Sequence, residues 1–570
     1  MRTKLFSVLA CGGVIFVGGS LSNAGPLNPP AGVVAPTAKP LVDVEPRIAI
    51  NATNTPGDPP TDASPSTFKI SQPGSYYLTA NVAGEVGKAG IEIAADNVTL
   101  DLNGFTVSNA GTNGITATTA NQSNTVIRNG TVQLSAQDGI DLPGSTNARV
   151  ENVTSTFNVG FGIEVGNRAT VVRCLARANG NHGITASNEC LISDCVSSVN
   201  INAGVNNPRG IVAGFRSVVS RCVVNDNEGN GIVVGITGRV TDCTSSGSSF
   251  TGIVAGQGSV ISGCISQSNT TGFSADFGST YIACTARDNS GIGFSVNGSC
   301  IATDCTALNN NVGFDTFTNA RLTRCVAQNS SSHGFSIISS ALTECSAANN
   351  GGSGFKVLTT SPGSTFTNCS ASSNALSGFE ILSARARLID CHAEGNTQHG
   401  VILTAASNLA ESIVQSCVLS NNGFSGITAQ ASTSIIDCNV SNNGDVGISV
   451  LTSCTVRGCT VNTNLNSGIF ASGTNIIQNN TISSNAAGAA GGGAAGILCT
   501  ADDNRIEGNH LISNAQDGIR LNASGNLVIR NTLARTGTTI NAVAGNRIAQ
   551  TITLTTTGFV STDPNANYIY

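Results

Sequence analysis

Tryptophan is absent from this chain of 570 residues, methionine occurs once, and only 11% of the residues are charged. The chain has only five lysines and a formal charge of -6, so it lacks the basic stripe of nucleic-acid-binding proteins, and we expect no nucleic-acid partner. Helix-forming residues are scarce, which disfavours a helical fold. Apolar residues make up 40% of the chain and are regularly spaced, so a disordered chain is also disfavoured.

The first residues have the pattern of an export signal. Arg2 and Lys4 precede an apolar run over residues 5–17, and small residues follow up to Ala24. We therefore predict a signal peptide over residues 1–24 and a location outside the cytoplasm, either secreted or in the cell envelope. The residues before Cys11 also resemble a lipobox, so lipoprotein processing is an alternative to cleavage by signal peptidase I. No later run approaches the ~20 apolar residues of a membrane span, so we expect no transmembrane segment.

Composition divides the rest of the chain into three parts. Eleven of the fifteen prolines fall between Pro26 and Pro73, which predicts a linker over residues 25–66. From Thr67 onward, apolar and polar residues alternate as in strands, and the alternation is followed directly by repeats. We predict a repeat domain over residues 67–549 and a capping segment over residues 550–570, because open coil ends would expose unpaired strand edges.

The most regular feature is a ladder of cysteines, most of them 20 to 22 residues apart. Asparagine usually follows five residues after the cysteine, and glycine before Ile, Val or Phe follows nine residues after it. Asn480, Asn509 and Asn531 continue the ladder downstream. Its cysteines are Cys174, Cys195, Cys222, Cys243, Cys264, Cys284, Cys305, Cys325, Cys345, Cys369, Cys391, Cys417, Cys438 and Cys459.

Each repeat has room for three short strands and tight turns but no helix. Leucine-rich repeats have a similar period and an "N or C" position, but leucine is rare here. The segments "NVTLDLNGFTV", "NTVIRNGTV", "NIIQNNTISSN" and "NRIEGNHLISNAQDGIRL" resemble the right-handed parallel β-helix proteins of the pectin-lyase-like superfamily, with repeats of the NosD and carbohydrate-binding (CASH) type. The resemblance implies an all-β, single-stranded, right-handed parallel β-helix solenoid, and the number of repeats predicts about twenty coils. It is unspecific for activity, because lyases, hydrolases, epimerases, adhesins and scaffolds share this architecture.

Stacked coils turn the columns of the repeat into ladders in space. Phe273, Phe294, Phe314, Phe335, Phe355 and Phe379 fall in one column and are predicted to stack in the core. The column before the cysteine contains Arg173, Asp194, Arg221, Asp242, Arg324 and Glu344, which are predicted to pair between coils on the outside.

The ladder cysteines are interpreted as small buried side chains. Asparagine replaces cysteine in the same column, and no close pair of the C-x-x-C type offers a metal site, so we predict packing and no metal. Cys190, Cys300 and Cys454 each precede a ladder cysteine by five residues. The pairs Cys190/Cys195, Cys300/Cys305 and Cys454/Cys459 are therefore disulfide candidates, although Ala, Ser and Gly hold the same position in other repeats.

Residues suited to catalysis are few. A lyase needs a Lys or Arg base, with carboxylates that hold Ca²⁺ against a uronate. Lys356 is the only lysine after Lys88, and we expect it to point outward. The paired aspartates and the Gly-His-Gly and Arg-Ile-Lys motifs of polygalacturonases are mostly missing. Ca²⁺ is expected only under the lyase alternative, and otherwise no cofactor is expected.

The densest polar cluster is "ADDNRIEGNH", with Asp502, Asp503, Arg505, Glu507 and His510. It follows the insertion "AAGAAGGGAAG", which is expected to shape a groove. Asp502 and Asp503 also fit an ordinary turn. His182, His333 and His399 share one column, and we expect them in solvated turns. Long steps before Cys222, Cys417 and Asn509 predict loops that leave the rod.

The catalytic and substrate-binding residues and the oligomeric state are not identified by these patterns. The leading interpretation is a non-catalytic extracellular or cell-envelope scaffold, or a carbohydrate- or surface-binding module whose partner is a polysaccharide or a cell-surface glycan. The alternative is a polysaccharide lyase or glycoside hydrolase. Carboxylates with Arg or Lys on adjacent coils would favour the enzyme, and an even, uncharged Asn/Ser/Thr face would favour the binding module.

Overall fold

The computed structural model describes residues 46–58, 65–117, 121–201, 207–358, 363–383, 385–404, 411–488, 493–555 and 561–570. The predicted signal peptide and Cys11 lie outside these residues, as do parts of the three predicted loops. The described residues contain 66 strands and no helix. Consequently, no helix in these parts of the chain is long and apolar enough to cross a membrane.

The strands form a parallel β-solenoid in which each coil contributes one strand to a 22-stranded sheet and most coils contribute two to a 44-stranded sheet. We call these the front sheet and the back sheet. Equivalent strands of successive coils pair in parallel, with their Cα atoms in register. At ~4.8 Å per strand the 22 coils span roughly 100 Å. The predicted fold class is confirmed, with about two coils more than expected.

The front sheet consists of short strands with an inward, outward, inward alternation of side chains. Its strands are Ser66–Ile70, Ala89–Ile93, Ile115–Ala117, Ile140–Thr146, Ile163–Asn167, Ile184–Ala186, Ile211–Ala213, Ile232–Val234, Thr251–Ala255, Thr271–Ala275, Ile292–Val296, Val312–Thr316, Phe335–Ile337, Phe355–Val357, Phe379–Ile381, Val401–Leu403, Ile427–Ala431, Ile448–Thr452, Ile469–Gly473, Ala495–Cys499, Asp517–Leu521 and Ile540–Ala542.

The back sheet bends at a corner in each coil, so most coils add two strands to it. The strands before the corner are Ile48–Ala49, Gly74–Tyr77, Val98–Asp101, Val126–Gln133, Arg149–Thr156, Thr170–Val172, Leu191–Ser193, Val218–Ser220, Arg239–Thr241, Val260–Ser262, Thr280–Ile282, Ile301–Thr303, Arg321–Thr323, Ala341–Thr343, Thr365–Thr367, Arg387–Ile389, Ser412–Gln415, Thr433–Ile436, Thr455–Arg457, Ile476–Gln478, Arg505–Glu507, Leu527–Ile529 and Arg547–Ile548. The strands after it are Val82–Ala83, Thr106–Ser108, Leu175–Arg177, Val196–Ser198, Val223–Asn225, Thr244–Ser246, Ile265–Gln267, Thr285–Arg287, Thr306–Leu308, Val326–Gln328, Ser346–Ala348, Ser370–Ser372, His392–Glu394, Val418–Ser420, Asn439–Ser441, Thr460–Asn462, Thr481–Ser483, His510–Ile512, Thr532–Ala534, Thr551–Thr553 and Asn567–Ile569. Val126–Gln133 and Arg149–Thr156 run through the corner without a break.

Short strands continue the back sheet at both ends of the solenoid. Ile48–Ala49, inside the predicted linker, pairs with Tyr76 and Tyr77. In the predicted capping segment, Asn567–Ile569 pairs both with Thr551–Thr553 and with the strand of the last full coil that begins at Thr532. The regular pairing of the back sheet therefore extends beyond the range 67–549 on both sides.

Six phenylalanine rings stack along the core behind the front sheet, as predicted. Their centroids are 4.7 to 4.9 Å apart from Phe273 to Phe379, and neighbouring rings are tilted by 4° to 12°. Tyr281 packs edge-on against this stack, and its hydroxyl donates to the carbonyl of Ser295 at 2.9 Å. The in-register stacking follows directly from the parallel pairing of successive coils.

All eighteen cysteines in the described part of the chain carry free, buried thiols, including the six of the candidate disulfide pairs. The ladder thiols pack in the core, and those of Cys195, Cys243 and Cys264 also accept a hydrogen bond from a backbone N–H of the coil before. The backbone N–H of Cys243 lies 3.5 Å from Sγ of Cys264, while Asn480 Oδ1 accepts from the N–H of Cys459 at 2.9 Å. Cysteine and asparagine are thus interchangeable because both satisfy a backbone N–H at the corner of the coil.

A second ladder consists of buried asparagines at the turn that leads into the front sheet. Asn179 Nδ2 donates to Asn200 Oδ1 at 3.1 Å, and the same oxygen accepts the N–H of Asn179 at 3.1 Å. Similar bonds link Asn374, Asn396 and Asn422. Each amide therefore satisfies the polar groups of the coil before it, which removes the cost of burying them.

The predicted charge ladder forms only in part. Arg221 pairs with Asp194 and Arg324 pairs with Asp304, each through two hydrogen bonds between 2.6 and 2.9 Å. Arg173 instead donates to Asn152 at 2.8 Å. These pairs are exposed and contribute little to stability.

Candidate functional site

The outer face of the front sheet carries a cluster of carboxyl groups. In each strand the flanking apolar residues point into the core, so that the residue between them points outward. Ile140 and Leu142 are buried on either side of Asp141, and Ile163 and Val165 are buried on either side of Glu164. Asp141 and Glu164 are in direct register on neighbouring strands.

Asp138, Asp141 and Glu164 form a compact group on this face, which we call the acidic trio. One carboxylate oxygen from each residue lies within 4.8 Å of the other two. Asp138 comes from the turn that leads into the strand of Asp141. All three side chains are partly buried.

Hydrogen bonds from the neighbouring coils hold two of the three carboxylates in place. Asp141 Oδ2 accepts from Asn113 Nδ2 at 2.5 Å and from Thr116 Oγ1 at 3.0 Å. Asp138 Oδ1 accepts the backbone N–H of Phe161 at 2.6 Å. Donors of this kind stabilise the ionised form of a carboxylate.

Burial raises the pKa of each member of the trio. Burial raises the pKa of Asp138 to about 6, although the hydrogen bond from the N–H of Phe161 lowers it in part. Burial and the charges of Asp138 and Asp141 raise the pKa of Glu164 to about 7. The pKa of Asp141 is also raised by burial, and the hydrogen bond from Thr116 opposes this change. Near neutral pH the trio therefore holds both protonated and ionised carboxyl groups.

Phe161 and His182 occupy the position of Asp138 on the next two coils, directly before the glycine that leads into the front sheet. The rings of Phe161 and His182 meet edge to face, with centroids 5.4 Å apart. The backbone N–H of Arg209 donates to His182 Nδ1 at 3.1 Å. Burial and the charge of Arg209 lower the pKa of His182 to about 4, so this imidazole is neutral at pH 7. The carboxyl group of Asp138, the ring of Phe161 and the neutral imidazole of His182 thus follow one another on successive coils.

The trio is the one group of three candidate metal ligands among the described residues. Carboxylate oxygens suit Ca²⁺, which takes six to eight oxygen ligands. Here the side chains bring three carboxylates and the Thr116 hydroxyl, and oxygens of Asp138 and Asp141 already accept hydrogen bonds. Three carboxylates and one hydroxyl fill only part of such a shell, so water would have to supply the remaining ligands of a cation bound here.

A family model described as "Right handed beta helix region" matches residues 89–260, 235–371, 314–436, 343–476 and 427–562. Together these ranges cover most of the chain. The chain belongs to the right-handed β-helix family. No curated protein matches the sequence of this β-helix protein.

Solved structures with similar folds differ strongly in sequence. The Dettilon tailspike protein is 14% identical, with 52% of this chain and 61% of the tailspike chain covered and a TM-score of 0.26. The mannuronan C-5 epimerase AlgE6 A-module of Azotobacter vinelandii is 12% identical, with 87% and 89% covered and a TM-score of 0.18. The PL6 family alginate lyase AlyGC is 10% identical, with 87% and 97% covered and a TM-score of 0.24. Likenesses at these TM-scores say nothing about the activity of this β-helix protein.

The cluster proposed from "ADDNRIEGNH" is divided in the β-helix. Asp502 and Asp503 lie in an exposed turn, where Asp503 has a φ of 57°. Arg505, Glu507 and His510 lie on the back sheet, where Glu507 accepts from Arg505 Nε at 2.6 Å and also pairs with Arg530. These contacts make a structural ion pair and do not bring Asp502 and Asp503 into a common site.

Lys356 points outward from the front sheet, as expected. Its Nζ lies 3.3 Å from Glu380 Oε1, and Ser353 Oγ donates to Glu380 Oε2 at 2.6 Å. The three column histidines, His182, His333 and His399, are partly buried and not fully solvated. The backbone N–H of Ser353 donates to His333 Nδ1 at 3.0 Å, and burial lowers the pKa of His333 and of His399.

The acidic trio was missed because the repeats were aligned on cysteine. The coils of Asp138, Asp141 and Glu164 precede Cys174, the first rung of that ladder. Alignment on the glycine-isoleucine pairs Gly139-Ile140 and Gly162-Ile163 would place Asp141 and Glu164 in one column. That signal is present in the sequence as "GID" and "GIE".

Proposed function

We propose that this exported β-helix protein hydrolyses glycosidic bonds of an extracellular polysaccharide at the acidic trio. The observation that supports the proposal is the set of unequal carboxyl groups within 4.8 Å: the pKa of Glu164 is raised to about 7, that of Asp138 to about 6, and Asp141 accepts hydrogen bonds from Asn113 and Thr116. Glycosidases need this combination of a protonated carboxylic acid and an ionised carboxylate flanking one bond.

The environments of the three groups suggest their roles. Glu164, whose pKa is raised to about 7, acts as the general acid, which protonates the oxygen of the leaving sugar. Asp141 is held by Asn113 and Thr116 and acts as the carboxylate on the other side, while Asp138 raises the pKa of Glu164 by its charge. As the leaving sugar departs with the proton of Glu164, Asp141 bonds to the anomeric carbon; water then breaks this glycosyl ester, giving its hydroxyl to the new reducing end and its proton to Glu164. The carboxylate oxygens lie within 4.8 Å of one another, which is less than the ~6.5–9.5 Å of inverting enzymes and so favours the retaining mechanism.

The charge of the site favours a neutral substrate. A uronate would bring a further negative charge to the trio, and no Lys or Arg is in contact with it among the described residues. Lyases also need a basic group that abstracts a proton from a uronate, and His182 is separated from the trio by Phe161 along the turn column. These features favour hydrolysis over elimination.

A second candidate function is that of a non-catalytic binding rod. The five outward residues after Thr185 on the front sheet are uncharged, namely Val212, Val233, Val254, Ser274 and Ser295. An even face of this kind can bind a polymer along its length without acting on it. Under this alternative the trio is a surface feature with no turnover.

The test is incubation of the mature protein with neutral and uronate polysaccharides, with and without EDTA. New reducing ends report hydrolysis, and absorbance of unsaturated products reports elimination. Reducing ends from a neutral polysaccharide that persist in EDTA and are lost in Glu164→Gln support the proposal. Unsaturated products, or no products together with retention on a polysaccharide, would instead support a lyase or the binding rod.

A further inference from the structure

We propose that a pocket near the C-terminal end of the front sheet is a second sugar-binding site. The pocket has a volume of about 500 Å³ and is lined by residues of three successive coils and by Gly493 and Ala494. Both of the latter belong to the predicted groove-shaping insertion. This inference rests on the proposed function in one respect: it takes the ligand to be a polysaccharide. It does not require that the acidic trio hydrolyses that polysaccharide.

An outward-facing aromatic ring forms the floor of this pocket. Ser449, Phe470 and Leu498 occupy one column in register on the outer face of the front sheet. Phe470 is the only aromatic residue among the outward positions paired in the 22 described strands of this sheet, and the stacked phenylalanines all point inward. A partly exposed ring beside Leu498 offers an apolar surface for a ligand.

Polar groups line the rim beside this apolar floor. Asp445 Oδ1 accepts from Asn466 Nδ2 at 3.1 Å, and its Oδ2 accepts from Ser425 Oγ at 3.2 Å. A carboxylate has about four lone-pair sites and an amide nitrogen has two hydrogens, so both groups keep capacity for a ligand. The pocket therefore combines one apolar wall with fixed acceptors and donors at its edge.

This combination matches the two sides of a sugar ring. The C–H face of a pyranose stacks on an aromatic ring, and its hydroxyl groups exchange hydrogen bonds with carboxylate and amide groups at the edge. No Lys or Arg lines the pocket, and Asp445 would repel a uronate. The expected ligand is a neutral sugar residue within a polysaccharide chain. Phe424, 49% exposed on the coil before Asp445, extends the apolar surface along the rod.

The pocket and the acidic trio share one face of the solenoid. Fourteen strand spacings separate Glu164 from Phe470, which gives roughly 67 Å at ~4.8 Å each. A long polysaccharide can contact both sites at once, whereas a short oligosaccharide cannot. Simultaneous contact raises the apparent affinity for long chains without any new interaction at the trio.

The test measures binding of soluble neutral polysaccharides and of polygalacturonate by affinity gel electrophoresis. The full mature chain carries Glu164→Gln in every case, so that cleavage cannot remove the ligand and the result does not depend on hydrolysis. Phe470→Leu keeps an apolar side chain but removes the ring, and Phe470→Tyr keeps the ring. Ile402→Ala, at an outward position of the same column outside the pocket, is the matched control.

We expect retention by at least one neutral polysaccharide, about tenfold weaker in Phe470→Leu, and little changed in Phe470→Tyr and Ile402→Ala. Circular dichroism shows whether each variant keeps the β-helix. Equal retention of Phe470→Leu and its parent, no retention by any neutral polysaccharide, or an equal loss in Ile402→Ala would overturn the inference. Failure of hydrolysis in the native chain, by contrast, would overturn only the role of the trio.

Discussion

Glu164 and Asp141 lie in register on neighbouring strands, with carboxylate oxygens within 4.8 Å of each other. Two carboxyl groups at this separation cannot both ionise easily, because each charge penalises the other. Burial is the largest cause of the raised pKa of Glu164, which is about 7, and the charges of Asp138 and Asp141 add to it. The pair therefore retains a proton near neutral pH, which is the property that the proposed hydrolysis requires.

Replacing Glu164 by glutamine should remove the general acid. We expect the rate of polysaccharide hydrolysis to fall by roughly 10²- to 10⁴-fold, because that is the usual contribution of general acid catalysis. Glu380→Gln is the matched control, since Glu380 is on the same sheet and pairs with Lys356 away from the trio. Equal rates for Glu164→Gln and the unmodified protein would show that the trio is not catalytic.

The raised pKa values predict how stability depends on pH. A carboxyl group whose pKa is higher in the folded chain binds more protons there, so its stabilising contribution is complete below about pH 4. The contribution is lost as the pH rises through about 6 for Asp138 and about 7 for Glu164. Glu164→Gln cannot ionise, so its melting temperature should rise relative to that of the unmodified protein between pH 5 and pH 8. A constant difference across this range would contradict the raised pKa of Glu164.

The hydrogen-bonding role of the ladder thiols can be separated from their packing. Cys264→Ala removes the acceptor for the N–H of Cys243 and should cost about 1–3 kcal/mol in the free energy of unfolding. Cys264→Ser keeps a polar acceptor of similar size and should cost less. Denaturant unfolding of the two variants measures the difference. If alanine is tolerated better than serine, packing alone determines the preference for cysteine.

The phenylalanine stack should contribute strongly to stability in the middle of the rod. Phe314 lies 4.8 Å from Phe294 and 4.9 Å from Phe335, so truncation opens a cavity against both neighbours. We expect Phe314→Ala to cost about 3–5 kcal/mol. The exposed Phe317, three residues away, is the control, and Phe317→Ala should have little effect. Comparable losses in both variants would argue against a dominant role for the stack.

The regular columns explain which features could be predicted from sequence. The positions of Cys264 and Phe314 repeat with the coil, and parallel pairing converts that repeat into contacts, so the fold and the stack were predictable. The acidic trio depends on three residues in coils with longer and unequal steps, where the cysteine frame gives no register. Side-chain partners such as Asn152 for Arg173 depend on rotamers and on local spacing, which a column alignment does not contain.

Coils joined by the same cysteine and asparagine contacts act as interchangeable modules. The bond from Cys243 to Cys264 and the bond from Cys459 to Asn480 meet the same requirement, so a coil can be duplicated or lost with little new chemistry at the junction. The distance between Glu164 and Phe470 then changes by ~4.8 Å for each coil that is gained or lost between them. A lineage of such proteins can adjust the length of polymer it spans while both ends keep their own residues.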